Sequence, residues 1–453
     1  MNKKEILMIC LIICCIFSLQ AVSAADVDLN TTDDTILAVQ IDDTVSISND
    51  LSSYSLPEDN SIVRGENDGA GSFSELQTKI DNDDTGELIL DKNYTYDDSS
   101  DSGLKNGIVI SKDITIVGNG FTIDALSSAR IFNITSGSTV ILNGINFVNG
   151  GGASVDYGGS IYSSAQGLAI YDCTFDGSYA TEDGGAMFIS GDGCKLYDST
   201  FINNAAGDDG GAINWNGNDG TMYNNTFTNN TGISDGDSSS RGGAICITGN
   251  DVIVSKSTFT SDSVSYSAGS DISKIDGGAL FITGDNVHII DSTFTDCSAD
   301  NNGGAIYSLG DNIVIKNTTF TNNHATEDGG ALYDLGNYTS IRNSTFTDNS
   351  AGDDGGAICM NGDGSIIDSI TCYNNTGICI GDSSSRGGTI SLTGNDATIT
   401  NSTFTLGRVI YSAGSDISKI DGGAMFITGD NVVVSNNNFT DCTASNKGGA
   451  IYV

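Results

Sequence analysis

The sequence predicts an all-β solenoid in which short strands wind into coils stacked on one another as a parallel β-helix. Three observations carry this reading. A GG pair recurs with first glycines at Gly158, Gly184, Gly210, Gly242, Gly277, Gly303, Gly329, Gly355, Gly387, Gly422 and Gly448, at intervals of 26, 26, 32, 35, 26, 26, 26, 32, 35 and 26 residues. One apolar residue returns once per unit, as Phe147, Phe175, Phe201, Phe227, Phe259, Phe294, Phe320, Phe346, Cys372, Phe404 and Phe439. The chain also holds 58 glycines and one proline, Pro57, set among Asn, Asp, Ser and Thr, a composition of short strands joined by tight turns.

The elements follow in chain order. Residues 1–24 read as a signal peptide: Lys3 and Lys4 precede an apolar run over 6–19, and Val22-Ser23-Ala24 offers small residues for cleavage. An apolar run of this length is too short to span a bilayer comfortably, and no second hydrophobic span follows. Residues 25–66 are rich in Asp, Ser and Thr without periodicity and read as a flexible leader. Residues 67–157 read as an N-terminal cap and the first coils. In SFSELQTKI (72–80), Ser72 and Glu75 form a capping box, and Phe73, Leu76 and Ile80 share one face of a short helix suited to cover the open end of the stack.

Residues 158–453 are the regular repeats. The intervals 26, 26, 32, 35 and 26 sum to 145, and a shift of 145 maps the first six GG pairs onto the last six, so a block of five coils has been duplicated. YSAGSDISKIDGGA at 266–279 recurs unchanged at 411–424. Within a unit, as in GGAIYSLGDNIVIKNTTFTNNHATE (303–327), Ile313 and Ile315 alternate with Asn312 and Val314, the period-two pattern of a strand with one buried face. Three strands per unit are expected, and no unit can bury its face without neighbours stacked at ~4.8 Å. The longer units are the same coil with insertions at 231–241 and 261–275, copied at 376–386 and 406–420. The sequence closes on GGAIYV, inside a strand, which is expected of a fragment end or of an exposed last coil.

Charge narrows the function. With 18 Lys+Arg against 58 Asp+Glu, the net charge is −40, which repels phosphate backbones and anionic lipid. Nucleic-acid binding is not expected. Three of the eleven cysteines leave with the signal peptide, and the other eight show no CxxC or zinc spacing, so buried single thiols are expected. Eleven Asn-x-Ser/Thr sequons, among them Asn93, Asn224, Asn317 and Asn401, are compatible with a glycosylated exterior.

GGAI combined with F-x-x-N, seen at Phe201/Asn204, Phe227/Asn230, Phe320/Asn323 and Phe346/Asn349, resembles the repeat signature of the polymorphic outer membrane protein type. The leading coils, with YTYD (94–97), GIVISKDITIVGNGFTID (107–124) and ARIFNI (129–134), look like the adhesin-like surface proteins of methanogenic archaea. The resemblance covers roughly residues 67–453. It implies a right-handed, pectin-lyase-like β-helix displayed at the cell surface, which binds glycans or the surface proteins of other cells. The same kind of fold also carries pectate-lyase-type enzymes, so a polysaccharide-active lyase or glycosidase is the alternative. A third option is a passive wall or sheath component.

The candidate chemistry is weighed against this frame. Residues before the GG pairs include Asp183, Asp209, Asp276, Asp328, Asp354 and Asp421, interrupted by Arg241, Asn302, Arg386 and Lys447. Asp183, Asp208, Asp209, Asp328, Asp353 and Asp354 could line up as a ladder of Ca2+ ligands, or serve simply as turn residues before glycine. No cofactor is required. Catalysis would need one coil with a unique acid–base set, whereas here the acids recur with the duplication. The two histidines, His288 and His324, are expected in loops. The Asn after each Phe is expected at a left-handed corner, bonding through its amide to the next coil. Phase places Tyr307 on the side of Ala305, hence in the core. Tyr266, Asp271, Tyr411 and Asp416 in the inserts are the expected ligand-contacting residues, and Trp215 and Tyr223 could stack on sugars if they face outward.

Overall fold

A computed structural model describes residues 69–453 apart from 136, 235–238, 267–272, 274, 380–384 and 412–419. The predicted signal peptide and leader, and Asp271 and Asp416, lie outside the described residues. Strands of two to four residues build four long parallel sheets of 13, 13, 14 and 9 strands, here sheets I, II, III and IV. One coil runs through Ile306–Ser308 in sheet I, Val314–Lys316 in sheet II, Thr319–Thr321 in sheet III and His324–Ala325 in sheet IV. The Asp328-Gly329-Gly330 corner then returns the chain to sheet I at Leu332–Asp334. The protein is a right-handed parallel β-helix. Sheet IV, a two-residue strand in most coils, is the element beyond the three expected per unit.

The register follows the repeat. Each strand pairs with its equivalent one coil later, as in Phe294↔Phe320 and Phe320↔Phe346. Stacking identical residues on themselves fills the interior with columns. Phe147 to Phe346 form an unbroken pile of rings at centroid spacings of 4.6–5.0 Å. It is broken where Cys372 stands between Phe346 and Phe404. Beside it Asn204, Asn323 and Asn349 each donate an Nδ2–H to the amide oxygen of the Asn one coil on and to the Phe carbonyl of the coil before. The expected amide ladder is present, but these buried asparagines are not the left-handed residues. The left-handed corner falls one residue earlier, at Asn203 (φ 55°) and Asn322 (φ 56°), where the side chain is solvent-exposed.

Each GG pair uses its two glycines for different reasons. Gly329 has φ +66°, a left-handed conformation that favours glycine. Gly330 has no such torsion, but a Cβ there would sit 2.2 Å from the Gly356 carbonyl oxygen of the next coil. The following two N–H groups, of Ala305 and Ile306 in the coil before, both donate to the Ala331 carbonyl (3.0 and 2.8 Å). This bulge points Ala305 and Ile306 inward in succession and shifts the alternation by one. Tyr307 therefore lies on the outer face of sheet I, correcting the expectation that it is core.

At the N-terminal end, α1 (Phe73–Asn82) buries Phe73, Leu76 and Ile80, and Ser72 Oγ accepts the Glu75 N–H at 3.1 Å. Asp101, from a corner of the first coils, accepts the Phe73 and Ser74 N–H groups at the same helix end (3.1 and 2.9 Å). The inserts also have structure. Thr231–Ser234 and Ser263–Tyr266 lengthen sheet IV, and the return strands Ser240–Arg241 and Ile275–Asp276 pair as a two-stranded sheet. The copy repeats this with Thr376–Cys379, Arg408–Tyr411, Ser385–Arg386 and Ile420–Asp421. Each pair of inserts thus makes a ridge at the corner that leads into sheet I.

Candidate functional site on the outer face of sheet I

From the third strand of sheet I onward, the outer face is read through the second residue of each strand: Tyr162, Phe188, Asn214, Cys246, Phe281 and Tyr307, then Tyr333, Cys359, Ser391, Phe426 and Tyr452. Aromatic residues stack along the column, Phe281 on Tyr307 at 5.4 Å and Tyr307 on Tyr333 at 5.1 Å. Their faces serve one another, and the rings end where the column changes to small residues. That happens twice, at Asn214 and Cys246 and again, one duplicated block later, at Cys359 and Ser391.

The residue before each GG leans over the outward residue of the following coil. Tyr157 packs its ring edge-on against Phe188 (5.3 Å), and the Arg241 and Arg386 guanidinium groups lie 5.1 Å from the Phe281 and Phe426 ring centroids. By the same rule Asp183 and Asp209 stand over Asn214 and Cys246, and Asp328 and Asp354 over Cys359 and Ser391. The glycine after Asp183 agrees with this: a Cβ at Gly184 would lie 3.1 Å from the Asn214 backbone nitrogen, one coil on. The Cys246 thiol lies 3.9 Å from Asp209 Oδ2.

The result is two equivalent slots. The first is floored by Asn214 and Cys246, walled by Phe188 at one end and by Arg241 on Phe281 at the other, and rimmed by Asp183 and Asp209. The second has Cys359 and Ser391, Tyr333, Arg386 on Phe426, and Asp328 and Asp354. The ridge stands beside each: Ser239 Oγ donates to Asp208 Oδ1 at 2.9 Å, and Ser240 and Ser385 donate to the Asp208 and Asp353 carbonyls. The acidic residues and the insertions singled out in the sequence as separate features are therefore neighbours. The sequence reading missed Phe188, Asn214, Cys246 and their copies, because only the bulge after GG tells which residue of the strand faces out.

The carboxylates play both roles expected of them to different degrees. As turn residues they cap the stack: the Asp209, Asp354 and Asn302 N–H groups donate to Asp183, Asp328 and Asp276 Oδ1 at 3.2, 2.8 and 3.3 Å. Burial pushes Asp183 up to about 6, and burial together with neighbouring Asp208 and Asp183 pushes Asp209 up to about 7. Asp354 is pushed up to about 6 by burial and Asp328. Arg241 makes its ion pair one coil further on, with Nε 3.9 Å from Asp276 Oδ2. Among the described residues no group of three or more His, Cys, Asp or Glu side chains is placed to hold a metal ion.

The other expected residues fall as follows. Tyr266 and Tyr411 end the outgoing strands of the ridges and are 46% and 53% exposed. Trp215 is core, and Tyr223 packs against Tyr197 along sheet II with the rings tilted at 45°. His288 and His324 are not in loops: each opens a strand, in sheets II and IV, and His324 Nδ1 shares a hydrogen bond with Ser350 Oγ at 3.0 Å. Of the eight cysteines outside the predicted signal peptide seven are buried, and Cys442 is half-buried. Two carboxyls are wholly interior, Asp262 in the asparagine column and Asp334 in sheet I, and neither is duplicated, since Gly407 and Ile189 hold the equivalent positions. No helix among the described residues is long and apolar enough to cross a membrane.

A family model described as a right handed beta helix region matches residues 267–414. This is the repeat kind that the coordinates display. No curated protein matches the sequence. Among solved structures, the chain is similar to a mannuronic acid specific polysaccharide family 6 lyase from human gut microbiota, at 11% identity and a TM-score of 0.39, covering 82% of this chain and 86% of that one. It is also similar to a tailspike protein mutant of E. coli bacteriophage HK620 in complex with a pentasaccharide, at 12% identity and a TM-score of 0.36, covering 82% and 75%. At these values neither likeness bears on function.

Proposed function

We propose that the protein is an exported, adhesin-like surface protein whose outer sheet I face and flanking ridges bind extracellular glycans. The observation that carries this is the duplication of the whole outward constellation, slots and ridges together, on a rigid rod. A binding surface gains from repetition, since two sites on one rod raise avidity for a polymer. An acid–base catalyst does not need it. Among the described residues, the outer-face acids Asp183, Asp209 and Asp276 all have copies at Asp328, Asp354 and Asp421, and Arg241 has its copy at Arg386. Two unduplicated carboxyls, Asp262 and Asp334, are sealed in the interior, out of reach of a polysaccharide, while others, such as Asp176 in sheet III and Asp198 at the turn between sheets II and III, lie away from the sheet I face.

Saturable binding of the purified protein to a panel of neutral, acidic and amino polysaccharides tests this reading. Binding to at least one class, weakened by the double substitution Tyr266→Ala and Tyr411→Ala on the ridges, is the expected result. No saturable binding to any of them, with lateral association of the rods instead, would point to a passive sheath component and end the adhesin reading.

A further inference from the structure

The two slots carry more than acidity. Buried polar atoms without a hydrogen-bond partner collect in them. In the first, these are Asp209 Oδ1, Asn214 Oδ1 and Arg241 Nε; in the second, Asp354 Oδ1 and Ser391 Oγ. Asn214 is 4% exposed and Ser391 is fully buried, and both side chains point to the outer face because their strand neighbours, Ile213 and Trp215 or Ile390 and Leu392, belong to the core. A buried acceptor left unpaired is costly, and Asp209 Oδ1 and Asp354 Oδ1 repeat this at duplicated positions, each beside a buried polar floor residue, which points to a polar group that belongs there.

The chemistry of that group follows from what is unpaired. A carboxylate oxygen with an amide oxygen in the first slot, and a carboxylate oxygen with a hydroxyl in the second, lie at an acidic rim, which suits a hydrogen-bond donor carrying positive charge. No group of three or more His, Cys, Asp or Glu side chains among the described residues is placed to hold a metal ion. Arg241 lies over Phe281 at one end with its Nε turned to Asp276, and its terminal N–H groups can donate to a hydroxyl oxygen. An aromatic wall, Phe188 or Tyr333, closes the end away from the arginine, where a sugar ring can pack its apolar face. A group with an ammonium, hydroxyls and an apolar ring face is an amino sugar.

We infer that each slot binds the protonated 2-amino group of a glucosamine-type residue, so that one chain holds two equivalent amino-sugar sites. The slots are five coils apart, about 24 Å at ~4.8 Å per coil, and lie on one face of one sheet, so a single linear chain of amino sugars can reach both. This deepens the glycan-binding reading and rests on it. Acetylation of the amine removes both its charge and two of its donors, and defines the contrast.

The test is titration calorimetry of the purified protein with a fully deacetylated glucosamine trimer, too short to span both slots, and separately with its N-acetylated counterpart. The expected result is two equivalent sites per chain for the short amine oligomer, and binding of the acetylated one weaker by about tenfold or more. Asp209→Asn removes one site, and Asp209→Asn with Asp354→Asn removes both. Each Asn keeps a side-chain oxygen able to accept the Arg241 or Arg386 N–H, and unchanged melting verifies the fold. Asp285→Asn with Asp430→Asn, an exposed duplicated pair away from the slots, leaves binding intact. Equal binding of the acetylated oligomer, unchanged binding by the Asp209/Asp354 variant, or equal loss in the Asp285/Asp430 variant each overturns the inference, the last by showing attraction to net charge alone. Binding of neutral glycans that is indifferent to the slot variants would leave the adhesin reading standing and remove this one.

Discussion

Asp262 shows how a single side chain departs from its column. Asn230 Nδ2 donates to Asp262 Oδ1 at 2.9 Å as it would to the next asparagine, but Asp262 has no amide to give, and its Oδ2 is buried without a partner. Burial pushes its pKa up to about 7. Asn at this position would reach the Phe227 carbonyl, as Asn230 Nδ2 reaches that of Phe201 at 3.1 Å. Asp262→Asn should stabilise the protein by about 1–3 kcal/mol at pH 8 and by less at pH 5, where the carboxyl is already protonated; urea unfolding at both pH values measures this. The rim acids invite a second measurement. With no three ligand groups together, the thermal midpoint should be the same in millimolar Ca2+ and in chelator, and a rise with Ca2+ would restore the cation reading.

At the scale of the element, the phenylalanine pile and the GG corner decide stability. Phe320 is fully buried between Phe294 and Phe346, at 5.0 and 4.7 Å. Phe320→Ala should cost about 3–5 kcal/mol, read from the denaturation midpoint, because rigid coils above and below cannot collapse into the hole. Columns such as this were legible in the sequence, since a residue returning once per unit has nothing else to pack on but its own copies. The helix cap was legible for the same local reason: Ser72, Glu75 and the apolar face of α1 lie within a few residues of one another. Sheet IV was not, because two-residue strands such as His324–Ala325 are too short to show alternation. Nor was the outer face, because the two N–H groups of Ala305 and Ile306 share one acceptor, and that bulge inverts the side on which Tyr307 falls. The slots escaped notice with it: Asn214 and Ser391 look like ordinary strand residues until the corner of the previous coil is seen to cover them.

For the whole molecule, buried carboxyls set the response to pH. Burial pushes Asp183, Asp276 and Asp354 up to about 6 and Asp209, Asp262 and Asp334 up to about 7. Each is protonated more readily in the folded chain than in the unfolded one, where carboxyls titrate near 4. Their contribution to stability is therefore complete below about pH 4 and is lost as pH rises through 6 and 7. Asp101 acts in the opposite sense: although burial opposes it, hydrogen bonds from Ser74, Asp97 and Phe73 hold its pKa below the usual range, so its support of α1 is lost in acid. The melting temperature should be highest between about pH 4 and 5 and several degrees lower at pH 8, with scanning calorimetry across that range as the check. A molecule of net charge −40 reinforces the trend through self-repulsion at high pH.

The central claim is that the outer face of sheet I, and not the rest of the rod, meets the ligand. The neighbours of the slot floors in the same column are aromatic, so Asn214→Tyr with Ser391→Tyr should continue the ladder through Phe188 and Phe426 and fill both slots while keeping the fold. Glycan binding measured side by side for the native and the filled protein decides the matter. Loss of saturable binding with an unchanged or higher melting temperature is the predicted result. Full binding by a folded, filled protein would contradict it.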